Sequence, residues 1–529
     1  MNPSHKALQR LDRTHYIQSV AVTTQQMMAI EGRVFAAGMP VAALMEKVAG
    51  LITRRLVALY PRLAIAQVGV LVGPGHNGGD ALVVARELHF LGYTVLIYCP
   101  FNSLKELTQQ HADYAASLGI PQVESVDELS GCDLIVDGLF GFGLSRNLEG
   151  TLAEAIATLN QLPIPIVSID LPSGLHTDTG AVLGTAIRAT RTLCLGLWKL
   201  AFLHDQALEY VGEAELIDFD LPVADIQAVL GETPDVQRLT ASTAIATLPL
   251  PRHPTTHKYK QGHLLLVCGS GQYMGAAILA GLAARASGVG MLSIAVPDSL
   301  KSLLTGQLPD ALVIGCPETK SGAIAHLPER VDVSQYQAIA CGPGLTPDAI
   351  GVVRQVLAAP SPLVLDADGL NILATLGTLP TLAQRPTTTI LTPHPGEFKR
   401  LFPDVDLSDR LIAARSAARQ SGAIVLLKGA RLAIANPQGT LWVNPESTPA
   451  LARGGSGDVL TGLLGGLIAQ IVATQYPVAN QSIEKTVQTA VWWHAQAAIL
   501  AKHNRTELGV DAFTLTHYLI RVLQPYFPS

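Results

Sequence analysis

The sequence Val68-Gly-Val-Leu-Val-Gly-Pro-Gly-His-Asn-Gly-Gly-Asp80 joins a short apolar run to a glycine-rich loop that ends in a carboxylate. The run Val68–Val72 has no polar alternation, which is typical of a strand buried on both faces of a parallel sheet. The stretch that follows, from about Ala81 to Leu91, predicts a helix. A strand, a glycine loop and a helix in this order predict an α/β fold, and the loop can present backbone N–H groups to an anion.

The rest of the first 220 residues repeats this alternation of strand and helix. Apolar runs at Thr94–Tyr98, Leu134–Val136 and Ile164–Ile169 predict further strands, which helical stretches separate. A capping box at Thr23–Gln26 predicts an earlier helix. Because buried parallel strands need a layer of helices on each face, the sequence predicts an N-terminal Rossmann-like three-layer α/β/α domain.

A second domain is predicted downstream of a proline-rich segment. Five prolines lie between Leu221 and His257 and indicate a connection between domains. A new series of strands and helices starts at His263–Val267 and continues with strands at 291–296, 338–341, 363–365, 389–391 and 424–427. We therefore expect residues 1–222 to form the first domain, 223–240 a linker and 241–529 a second α/β domain.

The composition indicates large buried cores and small-molecule partners. The 529 residues are 48% hydrophobic and 15% charged, and the net charge of −6 gives no global attraction to nucleic acid or to anionic membranes. The first residues lack an apolar signal segment, and Val459–Ala473 is shorter than the roughly 20 residues needed to span a bilayer. We expect a cytoplasmic homo-oligomer with buried free thiols at Cys99, Cys132, Cys194, Cys268, Cys316 and Cys341.

A second glycine-rich loop with a terminal carboxylate, Gly454-Gly-Ser-Gly-Asp458, opens a long apolar helix. It lacks the lysine of a P-loop, which disfavours that class of phosphate site. An aspartate beside a transferring phosphoryl group can accept the proton of an attacking hydroxyl. Further polar or glycine-rich motifs follow predicted strands of the same domain: Gly269–Ala276, Gly342–Gly344, Asp366–Asn371, Thr392–Glu397 and Lys428–Arg431.

The first loop matches the dinucleotide fingerprint Gly73-x-Gly75-x-x-Gly78, yet two features oppose an ordinary dehydrogenase. The next strand ends Tyr98-Cys99-Pro100, without the acidic residue that would bind a ribose. Asp80 also stands in the first helical turn, where it would repel a pyrophosphate. The alternative is that Asp80 only stabilises the helix end through the dipole.

Carboxylates at other strand ends accompany this loop. Asp137 and Asp170 each follow a predicted strand, and ligands bind at the carboxyl ends of strands in open α/β sheets. Asn77, Asp137 and Ser173 offer hard oxygen ligands for a cation. Asp80 or Asp170 can serve as acid or base. Lys199 can assist, or it can be an ordinary exposed lysine.

These N-terminal motifs resemble the epimerase domain of NAD(P)H-hydrate repair enzymes over about residues 15–220. The resemblance implies that the R and S hydrates of NADH or NADPH are interconverted with bound K⁺, an isomerase reaction. By matching positions, Asn77, Asp137 and Ser173 would be the K⁺ ligands. The chain departs from the family pattern at His76 and Ala81. The implied contacts with the hydrate are His76, Asn77, Gly78, Gly79, Asp80, Gly141, Phe142, Gly143, Leu144, Ser145, Arg146, Asn147 and Asp170.

The downstream motifs resemble the ADP-dependent NAD(P)H-hydrate dehydratase domain, which has a ribokinase-like fold, over about residues 241–525. The resemblance implies a lyase reaction with Mg²⁺ and ADP as co-substrate, in which phosphate is transferred to the C6 hydroxyl of the S hydrate and then leaves. Asp458 would be the base. The implied hydrate contacts are Ala276, Gly344, His394, Pro395, Gly396, Glu397, Phe398, Lys399, Arg400 and Asp458. The implied nucleotide contacts are Lys428, Gly429, Ala430, Arg431, Leu432, Thr448, Gly454, Gly455, Ser456 and Gly457.

The main alternative is a ribokinase-like small-molecule kinase fused to a non-catalytic dinucleotide-binding module. Its anion-binding loop and catalytic base would look the same in the sequence. It differs in leaving a stable phosphorylated product. The sequence alone leaves open whether NADH hydrate or NADPH hydrate is preferred, and whether ADP or ATP is used.

Overall fold

The computed structural model describes residues 13–475 and 478–527. The expectation that the first residues form no signal segment concerns residues 1–12, which lie outside these ranges. The described chain forms two compact units, one ending at Val236 and the other beginning at Gln237. Each unit is an α/β domain, which confirms the fold class predicted from the sequence.

The first unit is built on a parallel sheet of seven strands in the order β4-β3-β2-β5-β6-β7-β9. A separate parallel pair joins β1 to β8. The strands are β1 (Ala21–Val22), β2 (Gln67–Val72), β3 (Thr94–Tyr98), β4 (Gln122–Val123), β5 (Leu134–Gly138), β6 (Ile166–Ile169), β7 (Arg191–Leu195), β8 (Trp198–Lys199) and β9 (Glu213–Ile217). The helices of this unit include Thr24–Ala36, Val41–Leu59, His76–Phe90, Glu106–Ser117, Gly150–Leu159, Leu208–Val211 and Val223–Leu230.

Helices cover both faces of this sheet, because alternate strand residues enter two separate cores. Val68, Val70 and Val72 pack in one core with the helices Val41–Leu59 and His76–Phe90. Leu71 packs in the other core, with the helix Gly150–Leu159. The strand order runs outward in opposite directions from β2 and β5. Their carboxyl ends therefore flank a topological switch point, where ligands bind in open α/β sheets.

The second unit contains a sheet of ten strands in the order β10-β19-β18-β17-β16-β15-β14-β11-β12-β13. Strands β11 to β17 are parallel, and β18 and β19 continue the sheet as an antiparallel hairpin. The strands are β10 (Val236–Arg238), β11 (His263–Val267), β12 (Met291–Pro297), β13 (Leu312–Cys316), β14 (Ala338–Cys341), β15 (Leu363–Leu365), β16 (Thr389–Leu391), β17 (Ile424–Leu427), β18 (Leu432–Ala435) and β19 (Leu441–Asn444).

Four helices of the second unit, Met274–Ala286, Ser456–Thr474, Asn480–Arg505 and Ala512–Arg521, contribute to one extensive core. The helices of this unit include Ala241–Ile245, Met274–Ala286, Lys301–Gln307, Ile350–Leu357, Asp368–Leu376, Thr378–Leu382, Pro395–Leu401, Arg410–Ser421, Ser456–Thr474, Asn480–Arg505 and Ala512–Arg521. By length and composition, Ser456–Thr474 could cross a membrane, but 72% of its most apolar window is buried inside the fold. A methyl group on its Gly462 would lie 2.0 Å from the carbonyl oxygen of Ala280. This helix therefore packs directly against the backbone of Met274–Ala286.

The segment 223–240, expected as a linker, contains regular structure. Pro222 is the N-cap of the helix Val223–Leu230, and Gly231 ends that helix at φ 75°. Strand β10 follows within the same segment. Proline is well suited to a helix start, so the prolines here accompany a helix as well as a connection.

Gly73 and Gly75 provide a matched test of crowding at the topological switch point of the first unit. A methyl group on Gly73 would lie 1.6 Å from the carbonyl oxygen of Leu139, whereas one on Gly75 would have no atom within 4 Å. We expect Gly73→Ala to destabilise the first unit by about 3 kcal/mol or more, because backbone must move to relieve the overlap. Gly75→Ala should change stability by less than about 1 kcal/mol. Calorimetry of the full chain measures both, and equal effects would contradict the crowding argument.

Candidate active sites

A cavity of about 650 Å³ opens at the carboxyl ends of the strands of the first unit. The glycine loop and the start of the helix His76–Phe90 border it on one side, and the loop 139–146 on another. The helices Thr24–Ala36 and Val41–Leu59 contribute an apolar wall that includes Phe35 and Met45. The cavity thus combines polar strand ends with an apolar wall, which is typical of a small-molecule site.

Asp170 is the most heavily hydrogen-bonded carboxylate of this cavity. It has φ 68° and is 2% exposed. It accepts hydrogen bonds from the backbone N–H groups of Phe142 (2.9 Å) and Leu195 (3.2 Å) and from the ammonium group of Lys199. These three donors hold Asp170 in one orientation at the end of β6.

Lys199 is a fully buried partner of Asp170, which corrects the interpretation of it as an ordinary exposed lysine. Its Nζ also donates to the carbonyl oxygen of Leu195 at 2.6 Å and lies 5.6 Å from the ring centroid of Phe142. Burial opposes the charged ammonium group, but the adjacent Asp170 carboxylate outweighs burial and raises the pKa of Lys199. The ion pair fixes the Lys199 ammonium group and the Asp170 carboxylate together at the wall of the cavity.

Asp80 differs from Asp170 because its carboxyl group makes no hydrogen bond within the described residues. It is 9% exposed and lines the cavity. Burial, followed by the nearby charges of Asp170 and Glu31, raises the pKa of Asp80 well above its ordinary value. Asp80 is therefore suited to carry a proton at neutral pH.

Glu31 also lines the cavity, and the sequence analysis did not identify it. It lies on the helix Thr24–Ala36, whose predicted capping box between Thr23 and Gln26 is present. Burial raises the pKa of Glu31 to about 7, with Lys199 opposing the shift. The sequence held one signal, because Glu31 follows the buried Met27 by four residues and so shares its face of the helix.

Asp137 and Ser173, two of the predicted K⁺ ligands, are in direct contact. Asp137 is fully buried and accepts hydrogen bonds from the Ser173 hydroxyl (2.6 Å), the Ser173 N–H (3.0 Å) and the Ser168 hydroxyl (2.7 Å). Burial raises the pKa of Asp137, and these hydrogen bonds oppose the shift. Asp137 and Ser173 thus form a buried oxygen cluster at the ends of β5 and β6.

Asn77, the third predicted ligand, contacts the loop that follows Asp137. A methyl group on Gly141 would lie 3.1 Å from Asn77 Oδ1 and 3.0 Å from Asp170 Oδ2. Asn77 Nδ2 is buried and has no hydrogen-bond partner among residues 13–475 and 478–527. Amide oxygen and nitrogen are assigned from their surroundings, and a rotated amide would direct an oxygen to this position.

Most, but not all, of the predicted contacts in the first unit line the cavity. Those that do are His76, Asn77, Asp80, Gly141, Phe142, Gly143, Leu144, Ser145, Arg146 and Asp170. Gly78, Gly79 and Asn147 are not on its wall. A methyl group on Gly78 would lie 1.9 Å from the carbonyl oxygen of Gly73, so Gly78 allows the loop to fold back on itself.

In the second unit, Asp458 stands in the first turn of the helix Ser456–Thr474, as the glycine loop predicted. Burial raises the pKa of Asp458 to about 7; nearby Asp366 adds to this shift and Lys428 opposes it. Lys428 Nζ donates to Asp366 at 2.5 Å, and the Thr461 hydroxyl donates to Asp366 at 2.7 Å. A lysine–carboxylate pair therefore lies beside a second carboxyl group that can exchange a proton near neutral pH.

The motifs that follow β14 to β17 converge near this pair. The Lys428 N–H donates to the carbonyl oxygen of Pro393 (2.9 Å), which joins two predicted strand-end loops. A methyl group on Gly457 would lie 3.2 Å from Lys428 Nζ, and one on Gly344 would lie 2.8 Å from Cβ of Ala276. Gly454 has no atom within 4 Å of such a methyl group, so the start of this loop borders open space.

His394 caps a helix in this structure. Its Nδ1 accepts hydrogen bonds from the N–H groups of Gly396 (3.0 Å) and Glu397 (3.4 Å), and Glu397 accepts one from the His394 N–H (2.9 Å). Burial raises the pKa of Glu397. The His394 side chain is 53% exposed, and its contact with a ligand stays a prediction.

Two other predicted contacts have structural partners. Phe398 is fully buried and packs against Phe402 with ring centroids 5.2 Å apart, so its side chain stabilises the helix from the core side, and its contact with a ligand stays a prediction. Arg431 donates to the carbonyl oxygen of Pro445. By contrast, Arg400 donates to the Asn371 side chain at 3.0 Å and so connects two of the predicted motifs.

Comparisons with known proteins agree with the two-unit organisation. A family model described as YjeF-related protein N-terminus matches residues 41–201, and one described as NAD(P)H-hydrate dehydratase matches residues 264–521. A crystal structure of an ADP/ATP-dependent NAD(P)H-hydrate dehydratase from Bacillus subtilis, co-crystallised with ATP and Mg²⁺, is 34% identical. It covers 54% of this chain and 98% of its own, with a TM-score of 0.46.

Curated relatives extend over nearly the whole chain. A bifunctional NAD(P)H-hydrate repair enzyme of Synechocystis sp. is 56% identical over 499 residues, which is 94% of this chain and 94% of the relative. One of Thermosynechococcus vestitus is 57% identical over 505 residues, which is 95% of this chain and 97% of the relative. The chain therefore belongs to the family of bifunctional NAD(P)H-hydrate repair enzymes.

Proposed function

We propose that this chain repairs hydrated NADH and NADPH. The first unit interconverts the R and S hydrates, and the second dehydrates the S hydrate with Mg²⁺ and ADP, which becomes AMP and phosphate. The observation that carries the proposal is the same arrangement in both units. Each has a carboxyl group with a raised pKa, Asp80 or Asp458, beside a lysine–carboxylate pair.

The dehydration follows from the difference between two leaving groups. Hydroxide leaves carbon poorly, whereas phosphate leaves well. The C6 hydroxyl oxygen forms a bond to the terminal phosphorus of ADP, the bond from that phosphorus to AMP breaks, and Asp458 takes the hydroxyl proton. The C6–O bond then breaks with its electron pair going to phosphate, and loss of a proton from C5 restores the ring double bond.

Lys428 and the glycine loop are suited to stabilise the charge of the transferring phosphoryl group. The loop lies at a helix N-terminus, where N–H groups and the helix dipole favour an anion. Among the described residues there is no group of three or more His, Cys, Asp or Glu side chains that could hold a metal ion. Mg²⁺ is commonly held by one or two carboxylates together with substrate phosphates, and the buried carboxyl groups Asp366 and Glu397, which interact with Lys428 and with each other, would be suited to this.

K⁺ fits the residues Asn77, Asp137 and Ser173 of the first unit. These residues offer hard oxygen donors for such a cation: the buried Asp137 carboxylate, the Ser173 hydroxyl group and the Asn77 amide. One terminal atom of that amide, Nδ2, has no hydrogen-bond partner among the described residues. K⁺ would supply a fixed positive charge beside the loop 138–143. The residues of the ranges 76–80 and 141–147 that line the cavity, with Asp170, contact the hydrate in this proposal.

Two wider expectations accompany the proposal. The six free thiols, five of them buried, support a reducing compartment such as the cytoplasm. A homo-oligomeric assembly stays a prediction, and light scattering of the purified full chain measures it.

Recovery of reduced nicotinamide absorbance tests the whole function. A mixture of R and S hydrates of NADH is incubated with the protein, Mg²⁺, K⁺ and either ADP or ATP, and spontaneous epimerisation is subtracted. We expect complete recovery with ADP. Recovery that stops at the S fraction would leave the first unit without epimerase activity. No recovery with either nucleotide, or a phosphorylated product that persists, would favour a small-molecule kinase instead.

Asp458→Asn should lower dehydration of the S hydrate by about 10²–10⁴-fold, because it removes the acid–base group while keeping the size of the side chain. Interconversion of R and S should be unchanged. Asp332→Asn is the matched control, since Asp332 caps a short turn of the same unit, and Asn caps as well as Asp. Equal rates of dehydration in the two variants would exclude Asp458 as the base.

The raised pKa of Asp458 predicts a pH dependence of dehydration. A general base acts in its deprotonated form, whose fraction increases as pH rises through the pKa of about 7. With MgADP saturating, kcat/KM for the S hydrate should therefore rise about tenfold per pH unit below pH 7 and level off above pH 8. A constant kcat/KM from pH 6 to pH 8 would contradict this role.

A further inference from the structure

Three carboxyl groups line the cavity of the first unit, and they differ in their hydrogen bonding. Asp170 is held by two backbone N–H groups and Lys199. Asp80 and Glu31 line the same cavity from two different helices, and neither side chain has a hydrogen bond or ion pair among the described residues. Asp80 and Glu31 therefore line the same cavity as two carboxyl groups without a hydrogen-bond partner among the described residues.

We infer that Glu31 is a second catalytic acid–base residue of the epimerisation, acting on the face of the nicotinamide ring opposite to Asp80. The inference rests on the proposed epimerase function of this unit. It follows from inversion by cleavage and re-formation of the C6–O bond, in which the hydroxyl group leaves from one face of the ring and returns on the other. A single carboxyl group at one face cannot assist both events.

The steps balance without an added reactant. One carboxylic acid gives its proton to the C6 hydroxyl group, the C6–O bond breaks, and water leaves with that electron pair. The lone pair of the ring nitrogen forms a C6=N bond, which leaves a positive charge on the ring. Water then adds to C6 from the other face, its electron pair forming the new C6–O bond, and the carboxylate at that face takes its proton. The two carboxyl groups exchange roles in the reverse direction.

The charges around Glu31 suit this role. The pKa of about 7 means that both protonation states are populated at neutral pH, as a group that alternately gives and takes a proton requires. The charge of Lys199 opposes the raised pKa of Glu31, but Lys199 forms its ion pair with Asp170 and not with Glu31. The other charged or titratable side chains on the cavity wall are His76, Lys105 and Arg146.

A purely structural role for Glu31 has little support. Its helix is anchored by the buried Met27 and Ile30 and by the capping box at Thr23. Arg33 on the same helix forms an ion pair with Asp225, whereas Glu31 has no such partner among the described residues. An acidic side chain on a cavity wall without a partner is costly to bury, so the reason for its presence lies with the ligand.

The test follows both inversion and oxygen exchange at C6. Purified R hydrate and purified S hydrate are each incubated with the full-length protein in H₂¹⁸O, without nucleotide, and the fraction inverted and the ¹⁸O content of each epimer are measured. For Glu31→Gln we expect inversion to fall about 10²-fold. One starting epimer should still gain ¹⁸O with retention, because Asp80 continues to assist cleavage and return at its own face. Asp80→Asn should show the same behaviour with the other starting epimer.

Two controls separate this inference from the proposed function and from misfolding. Glu46→Gln removes a surface carboxylate that pairs with Arg86, and it should leave inversion unchanged. Dehydration of pure S hydrate with ADP and the unfolding temperature of the first unit report whether Glu31→Gln is folded.

The outcomes are distinct. If the unmodified protein does not interconvert the hydrates, the proposed epimerase function fails. If it does and Glu31→Gln inverts at the same rate, or loses inversion and exchange in equal proportion for both epimers, the role of Glu31 is overturned. Inversion by the unmodified protein without ¹⁸O incorporation would also overturn it, because the C6–O bond would then stay intact.

Discussion

Two strand-end loops meet in each unit at a distance that leaves no room for a side chain. A methyl group on Gly73 would overlap the carbonyl oxygen of Leu139, and one on Gly342, at φ 134°, would lie 1.7 Å from the carbonyl oxygen of Asp366. Both overlaps are with backbone, which cannot rotate away as a side chain can. The close approach brings loops from neighbouring parallel strands into one site, so the positions of the site residues depend on it.

The same electrostatic arrangement recurs on these two scaffolds. In each unit one buried carboxylate is paired with a lysine, Asp170 with Lys199 and Asp366 with Lys428. The lysine reduces the repulsion between its partner carboxylate and a second carboxyl group nearby, while burial makes that second group hold its proton more tightly. In each unit the lysine holds one carboxylate in its charged form. The residue suited to exchange a proton is the other carboxyl group, Asp80 or Asp458, which has no ion pair among the described residues.

Much of the fold and part of the sites could be predicted from the sequence. The strand predicted at Val68–Val72 is observed at Gln67–Val72, and both glycine loops lead into helices as expected, because apolar runs and glycines report local structure. The burial of Lys199 and of Phe398 could not be predicted in this way. The side chains that surround Lys199 and Phe398 are distant from them in the sequence, so local sequence patterns do not reveal this burial. Glu31 was not identified because it stands inside a helix, away from any glycine-rich loop or strand end.

The pairing of β1 with β8 has a consequence for synthesis on the ribosome. Val22 is in register with Lys199, so the partner of the first strand is made about 180 residues later. At 5–20 residues per second this delay is on the order of 10–40 s. During that time the following helix, with its apolar face of Met27 and Ile30, has no completed sheet to cover it. The nascent first unit therefore keeps this apolar face uncovered for that time, and its site is completed only near the end of its own translation.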